Sequence, residues 1–506
     1  TFSGYSLTTG CSNAAVGRSA LQSTTSGSYN VAVGKSSLLN STTAIYNVAV
    51  GANALYTNTE GNHNTAIGYA ALYDNTTGNS NTALGRQALE NNTTGCMNTA
   101  SGYFALGSNT TGCFNVAVGK DTLLGTTTGT NNVGVGYKAL VCNTTGGNNV
   151  AVGTSAMCAN STGCDNASVG QDSLYANTTG CKSVALGRAA LRYNTTGKWN
   201  SAIGFSSLFC NTTGQQNTAS GAYALYANTT ANVNTAFGEA SMKCNTTGAC
   251  NVAVGGSALY CNTTASRNTA IGMNTLFSNT TGTDLVGVGY KALLSNTCGK
   301  LNTSSGAYSM LNNTTGGCNT AYGYGSLHDN TTGGNNVAVG ACAVFNNTTA
   351  INNVGVGVKA LFQNTTATQN TGVGMFSLQN TSTGGNNTGL GYGTLYSNST
   401  GTNNVALGAC SLYANTTGAG NTAVGFQSMC NNTCGDNNTA VGVYALRANT
   451  TAAGNTAVGR ETLRQATTGG QNTALGLQAG YNMTTGYQNS TTGEAALFYN
   501  TTGIRN

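Results

Sequence analysis

Proline is absent from this sequence, charged residues make up only 6%, aromatics 7%, and there are two histidines. Each shortage excludes something. Disordered chains usually carry more charge and proline, and here 39% of residues are apolar, so an ordered chain is expected. The formal charge of +6 is spread over 506 residues with no run of Lys or Arg, which argues against nucleic acid as a partner. Asn, Thr or Gly interrupts every apolar stretch before 18 residues, so no helical membrane insertion is expected. His63 and His328 lie far apart, and the 12 acidic residues are dispersed. No histidine-based triad or metal site can be assembled within one chain from such scattered groups, and the dispersal of the acids disfavours a carboxylate pair. A phosphate loop and the calcium-binding Gly-Gly-x-Gly-x-Asp nonapeptide are also missing. The expectation is a protein that is not an enzyme and uses no cofactor or metal.

What is present is a repeat. Gly recurs at 17, 34, 51, 68, 85 and every 17th residue to 493, at 29 places with no insertion or deletion. So strict a register implies that each unit sits directly on the last. Counting that Gly as position 0, position 13 is Asn at 28 of 30 places, the exceptions being Ser183 and Leu285. Position 4 is Leu at 23 of 29 places, and four of the six exceptions are Met157, Met242, Met310 and Met429; position 3 is Ala, Ser or Thr, and position 8 is nearly always Thr. Position 16 is usually Val, Ile or Leu, while positions 1, 2, 5, 11 and 12 vary and hold nearly all the charges. A uniform inside and a variable outside follow.

The fold class expected is mainly β: a parallel, in-register β-solenoid of about 30 coils with 17 residues per coil, with a short 3₁₀ turn in each as an alternative to a second strand. Residues 17 apart then lie one strand spacing apart, ~4.8 Å, and thirty coils would make a rod of about 140 Å. Ladders of like residues result, as at Gly68 and Gly85, Leu72 and Leu89, and Asn81 and Asn98. Stacked Leu would form an apolar spine, and stacked Asn amides would donate one to the next. Gly at position 0 marks positive φ or a place with no room for a Cβ. Ala replaces Gly at position 10 in Ala44, Ala231, Ala265, Ala350, Ala367 and Ala452, which makes a left-handed conformation there doubtful. Positions 13 to 16, as in Asn251-Val252-Ala253-Val254, read as a short strand. Positions 0 to 7 read as a second short strand or a 3₁₀ turn, since a full helix in each coil would splay the stack. The whole of residues 1–506 reads as one continuous solenoid, starting and stopping partway through a repeat as a piece of a longer processed chain would.

Asn115-Val116-Ala117-Val118-Gly119 and Asn251-Val252-Ala253-Val254-Gly255 resemble the head repeats of trimeric autotransporter adhesins, which form parallel β-rolls. Units such as Asn64-Thr65-Ala66-Ile67-Gly68-Tyr69-Ala70-Ala71-Leu72 look like repeat regions of phage and large-virus fibres. The period of 17 and the Asn-Thr-Thr-Gly segment depart from the adhesin pattern. The resemblance implies a fibre or stalk on a cell or virion surface. The functional expectation is an extracellular structural fibre that self-associates; the alternatives are an adhesive or receptor-binding stalk and, third, an ice-binding solenoid.

Position 7 is usually Asn with Thr at position 9, the N-glycosylation sequon. Candidates are Asn75, Asn92, Asn109, Asn143, Asn160, Asn177, Asn194, Asn211, Asn228, Asn245, Asn262, Asn279, Asn313, Asn330, Asn347, Asn364, Asn398, Asn415, Asn449 and Asn500. Sequons displaced to position 6 at Asn40, Asn380 and Asn482 add to the case for covalent glycans. The competing reading is that Asn and Thr are there as turn formers. The 17 cysteines show no zinc spacing, but stacking sets Cys96 beside Cys113, Cys164 beside Cys181 and Cys244 beside Cys261, with Cys142 and Cys158 off by one. These are disulfide candidates, with free surface thiols copied by repeat duplication as the alternative.

Overall fold

The computed structural model describes residues 3–506. The chain divides into two compact units between Asn251 and Val252. The first holds fourteen three-residue strands, from β1 (Ala14–Val16) to β14 (Thr235–Phe237); the second holds fifteen, from β15 (Val252–Val254) to β29 (Ser490–Thr492). Within each unit every strand pairs in parallel with the next at an offset of 17, as in Thr82↔Thr99, Ala83↔Ala100 and Leu84↔Ser101. Each unit is therefore a parallel in-register β-solenoid, with one strand and 17 residues to the coil.

Neither the second strand nor the 3₁₀ turn expected for positions 0 to 7 forms. Among the described residues there is no helix of either kind, and this segment is a tight corner of turns. Its backbone alternates in hand: position 0 has φ between 112° and 144°, and position 4, where it is not Gly, has φ between 47° and 54°. The reason lies in the hydrogen bonds. Leu72 donates its N–H to Ala88 O at 2.9 Å in the following coil, while Gln87 donates back to Tyr69 O at 2.9 Å in the preceding one. Only a backbone that flips its peptide planes can bond in both directions from so short a corner. A left-handed Leu costs ~1–2 kcal/mol, but full burial of its side chain contributes ~1.5–3 kcal/mol. Except for Leu497 in the last coil, the Leu at position 4 is buried to 0 or 1% exposure, as at Leu21, Leu72 and Leu89, so burial wins.

The core of a coil is thin. Position 15, in the middle of the strand, points inward and is Ala, Gly or Ser in every strand but the last, where it is Thr491. It faces positions 3 and 4 across the coil, and the two sides trade volume. A Cβ on Gly134 would stand 2.6 Å from Thr122 Cγ2, and one on Gly287 2.7 Å from Thr275 Cγ2. In those coils Thr has replaced the commoner Ala at position 3 and Gly the commoner Ala at position 15.

Space alone would forbid Ala at both glycine positions, since a Cβ on Gly85 would lie 2.6 Å from Gly102 O and one on Gly78 2.4 Å from Gly95 O. Of these two, only position 0 has positive φ, and the chain itself carries Ala at position 10 in six coils, so the backbone conformation decides. Gly85→Ala should therefore cost ~2–5 kcal/mol, strain and overpacking together, and Gly78→Ala less than ~1 kcal/mol. Urea unfolding with hydrogen exchange of the flanking coils reads both; equal losses would refute φ as the deciding factor.

Candidate interaction surface and the buried amide ladders

Position 13 behaves as expected in place but not in chemistry. Asn98 donates twice: its backbone N–H reaches Asn81 Oδ1 at 3.0 Å, and its Nδ2 donates to Gly112 O at 2.8 Å. The direct side-chain contact, Asn98 Nδ2 to Asn81 Oδ1, is the longest of the three at 3.2 Å. The ladder is thus side chain to backbone. Ser183 keeps it going, taking the N–H of Asn200 on its Oγ at 3.3 Å, whereas Leu285 donates its backbone N–H to Asn268 Oδ1 and offers no side-chain acceptor onward.

The amide-to-amide ladder exists, at position 7. Asn194 donates Nδ2–H to Asn177 Oδ1 at 2.8 Å and to Gly197 O at 3.1 Å, and Asn211 donates to Asn194 Oδ1 at 2.8 Å. These are the sequon asparagines. Nineteen of the twenty candidates, all except the half-buried Asn500, are fully buried. An N-linked sugar replaces one hydrogen of Nδ2, and in these coils both hydrogens are given to buried acceptors. The expectation of glycans on Asn75, Asn92, Asn109 and their equivalents is corrected accordingly: the Asn is core, and a sugar on it would break the ladder. Thr at position 8 belongs to the same bonding, as Thr76 Oγ1 donates to Thr93 O at 3.0 Å.

Where position 7 is not Asn, the ladder leaves orphans. Asn109 Oδ1, Asn364 Oδ1 and Asn449 Oδ1 are buried with no partner, and the next coil in each case carries Thr126, Thr381 or Ala466. Thr381 is itself buried with an unpartnered Oγ1.

The outside carries the surprise. Positions 14 and 16 of the strand face outward, so Ile67, Leu84, Val118 and Ile203 are about two-fifths exposed while Ala66, Ala83, Ala117 and Ala202 between them and the corner are buried. Across all 29 strands these two outward positions hold Val, Thr, Ile, Leu, Ser, Ala, Phe or Tyr and never a charge, although the chain has 18 basic and 12 acidic residues. The other outer columns are held by stacking along the coil axis. Arg86 lies 5.7 Å from the Tyr69 ring and 5.6 Å from that of Tyr103, and Lys120 lies 5.7 Å from Tyr103 and 5.9 Å from Tyr137. Tyr56 stacks on Tyr73 at 4.9 Å, Tyr29 on Tyr46 at 4.9 Å and Tyr46 on His63 at 5.1 Å. Rings engaged face to face with their neighbours offer solvent their edges, so these columns read as reinforcement.

No disulfide is present among the described residues. Cys96 and Cys113 have their sulfurs 2.8 Å apart, and Cys164 and Cys181 theirs 3.0 Å apart. For Cys142 and Cys158 the backbones meet, with Cys142 N–H on Cys158 O at 3.1 Å. Cys244 falls in the first unit and Cys261 in the second.

Two substitutions test the buried amides. Thr381→Asn should rejoin Asn364 Oδ1 to Asn398 Nδ2 and stabilise the second unit by ~1–3 kcal/mol, the usual cost of buried unpaired groups; an unchanged or lower unfolding midpoint would count against it. Asn194→Asp would set a carboxylate against two oxygens, Asn177 Oδ1 and Gly197 O. Folding would then raise its pKa above the ordinary ~3.9. Because the folded state must keep the proton, the penalty is smallest below about pH 4 and grows as pH rises, by up to ~1.4 kcal/mol per unit. Thermal unfolding at pH 3 and pH 7 should show the variant falling further below the parent at pH 7, and a constant gap would refute the buried, acceptor-facing geometry. No protein-family model matches this chain, and no curated protein matches its sequence.

Proposed function

We propose that this chain is a structural, non-enzymatic protein that associates with copies of itself through the strand face, as an element of a fibre outside the cell or on a virion. The observation that carries the reading is the uncharged outward face of positions 14 and 16, kept in every one of 29 strands. Residues at the surface of a solenoid are free to become charged, as positions 1, 2, 5, 11 and 12 do. A continuous Val, Ile, Leu and Thr surface without a single charge marks a face that meets another surface. A second copy is the occupant that fits. Its face has the same spacing between rungs, so two such faces match in step over many coils, and neither brings a charge that would be stranded on contact. Likeness to repeat-built surface fibres supports the setting.

Leu84→Lys, Val118→Lys and Val169→Lys together place three ammonium groups on that face. Light scattering and sedimentation should find the parent chain associated and the triple variant monomeric, with circular dichroism unchanged. Ser80→Lys is the control, because position 12 already carries Lys182. A parent that stays monomeric at ~100 µM, well above the Kd of a stable assembly, or a triple variant that assembles as the parent does, would overturn the reading.

A further inference from the structure

Position 11 has a task of its own. Its side chain accepts the backbone N–H of position 11 in the preceding coil: Ile45 N–H reaches Asn62 Oδ1 at 2.8 Å, Asn62 N–H reaches Asn79 Oδ1 at 2.7 Å, and Ala419 N–H reaches Asp436 Oδ1 at 2.7 Å. In two places sulfur performs it. Cys96 N–H points at Cys113 Sγ at 3.1 Å, and Cys164 N–H at Cys181 Sγ at 3.1 Å. The same geometry turns the upstream thiol onto that sulfur, giving the separations of 2.8 and 3.0 Å. Both pairs lie in the first unit, at one column of its outer surface.

We propose that Cys96 with Cys113 and Cys164 with Cys181 are built-in staples, which a small-molecule disulfide such as oxidised glutathione closes across adjacent coils more readily than it links Cys142 to Cys158. This stands apart from self-association and holds whether or not the chain assembles. In-register neighbours sit ~4.8 Å apart, inside the ~4.4–6.8 Å Cα separation that a disulfide spans. The order of events follows from the hydrogen bonds. The downstream sulfur receives a backbone N–H, and the upstream Cys96 thiol is pushed up to about 11, first by its hydrogen bond with Cys113 and second by burial. Cys164 is likewise pushed up to about 12 by its bond to Cys181. Because the upstream thiol holds its proton, the downstream sulfur is the one that attacks the glutathione disulfide, losing its own proton as it forms a mixed disulfide and releases one glutathione. The upstream thiol then loses its proton and displaces the second glutathione. Overall two protein thiols and one oxidised glutathione give one protein disulfide and two reduced glutathiones, and the protein's two electrons leave on the glutathione.

Cys142 and Cys158 are the internal comparison, because they are adjacent in the stack without sharing a column: one is at position 6 and the other at position 5. The full-length chain is equilibrated in glutathione buffers of graded ratio, quenched in acid and mapped by peptide mass spectrometry. The expected result is that Cys96–Cys113 and Cys164–Cys181 are half closed at a ratio roughly tenfold more reducing than Cys142–Cys158 requires, and that the preference disappears in urea. In Cys113→Ser, Cys96 should carry glutathione while Cys164–Cys181 closes as before. Alkylation of all four thiols across that range, linkage no better than Cys142–Cys158, or the same preference in the unfolded chain would overturn the proposal.

Discussion

Every coil must hand its backbone N–H groups to a neighbour one strand spacing away, and the rest of the structure depends on meeting that demand. In the coil from Gly85, position 0 donates to the preceding coil, as do positions 2 and 12, while positions 4, 6, 8, 9, 10 and 14 donate to the following one. Positions 3 and 7 close the corner locally, with Ala88 on Gly85 O and Asn92 on Leu89 O. Proline lacks the N–H and would break a rung almost anywhere it were placed, which accounts for its absence. An inserted residue would put every later rung out of step, which accounts for the unvarying 17. The alternating hand of the corner answers the same demand, and the left-handed Leu is tolerated because it is the residue whose burial is worth most.

A core this thin cannot be made of hydrocarbon alone. Leu occupies one side, small residues line the strand, and two columns of Asn fill the remainder. Buried amides are stabilising only when complete, since one lost bond leaves a donor or acceptor with no water to turn to. Stacking solves this by repetition: each Asn at position 7 is both donor and acceptor to its own kind, and the backbone oxygen at position 10 takes the second hydrogen from one ladder while serving the other. Gly78 O receives Asn75 at 3.0 Å and Asn64 at 2.9 Å. The two ladders thus share acceptors, and an interruption in one strands atoms that only the next coil could have satisfied.

Much of this was legible in the sequence. The period, the register, the strand at positions 14 to 16, the special glycine at position 0, the ordinary backbone at position 10 and the buried Asn at position 13 all follow from identity repeated at fixed spacing. The errors share one physical cause, which is that uniformity says a position is constrained without saying on which side of the wall it lies. Position 7 read as an exposed sequon, although Ala466 and Met483 in the same column are what a buried position tolerates. Position 16 read as part of a uniform inside because it is apolar. Its exceptions, Ser101, Ser220, Phe237, Ser305, Tyr322 and Thr492, differ too much in size for a packed core, and the inner strand position between the two outward ones does not vary that way. The corner could not be read at all, since nothing in a Leu announces a positive φ.

Two different constraints therefore produce the same appearance of sameness. Inside, a residue repeats because its copy above and below must complete its bonds or fill its space, and the tolerance is set by volume. On the strand face, size varies from Ser to Tyr while charge never enters, so volume is not what is being held constant. Coil-to-coil stacking does not require it, because the outer columns at positions 1, 2, 5, 11 and 12 stack equally well with Arg, Lys, Asp and Glu among them. A restriction on charge without a restriction on size is what a wide, shallow contact imposes, where desolvating one ion costs several kcal/mol and a side chain too large or too small is absorbed by its neighbours. On the proposed self-association, the strand face is constrained from outside the coil and the core from within it.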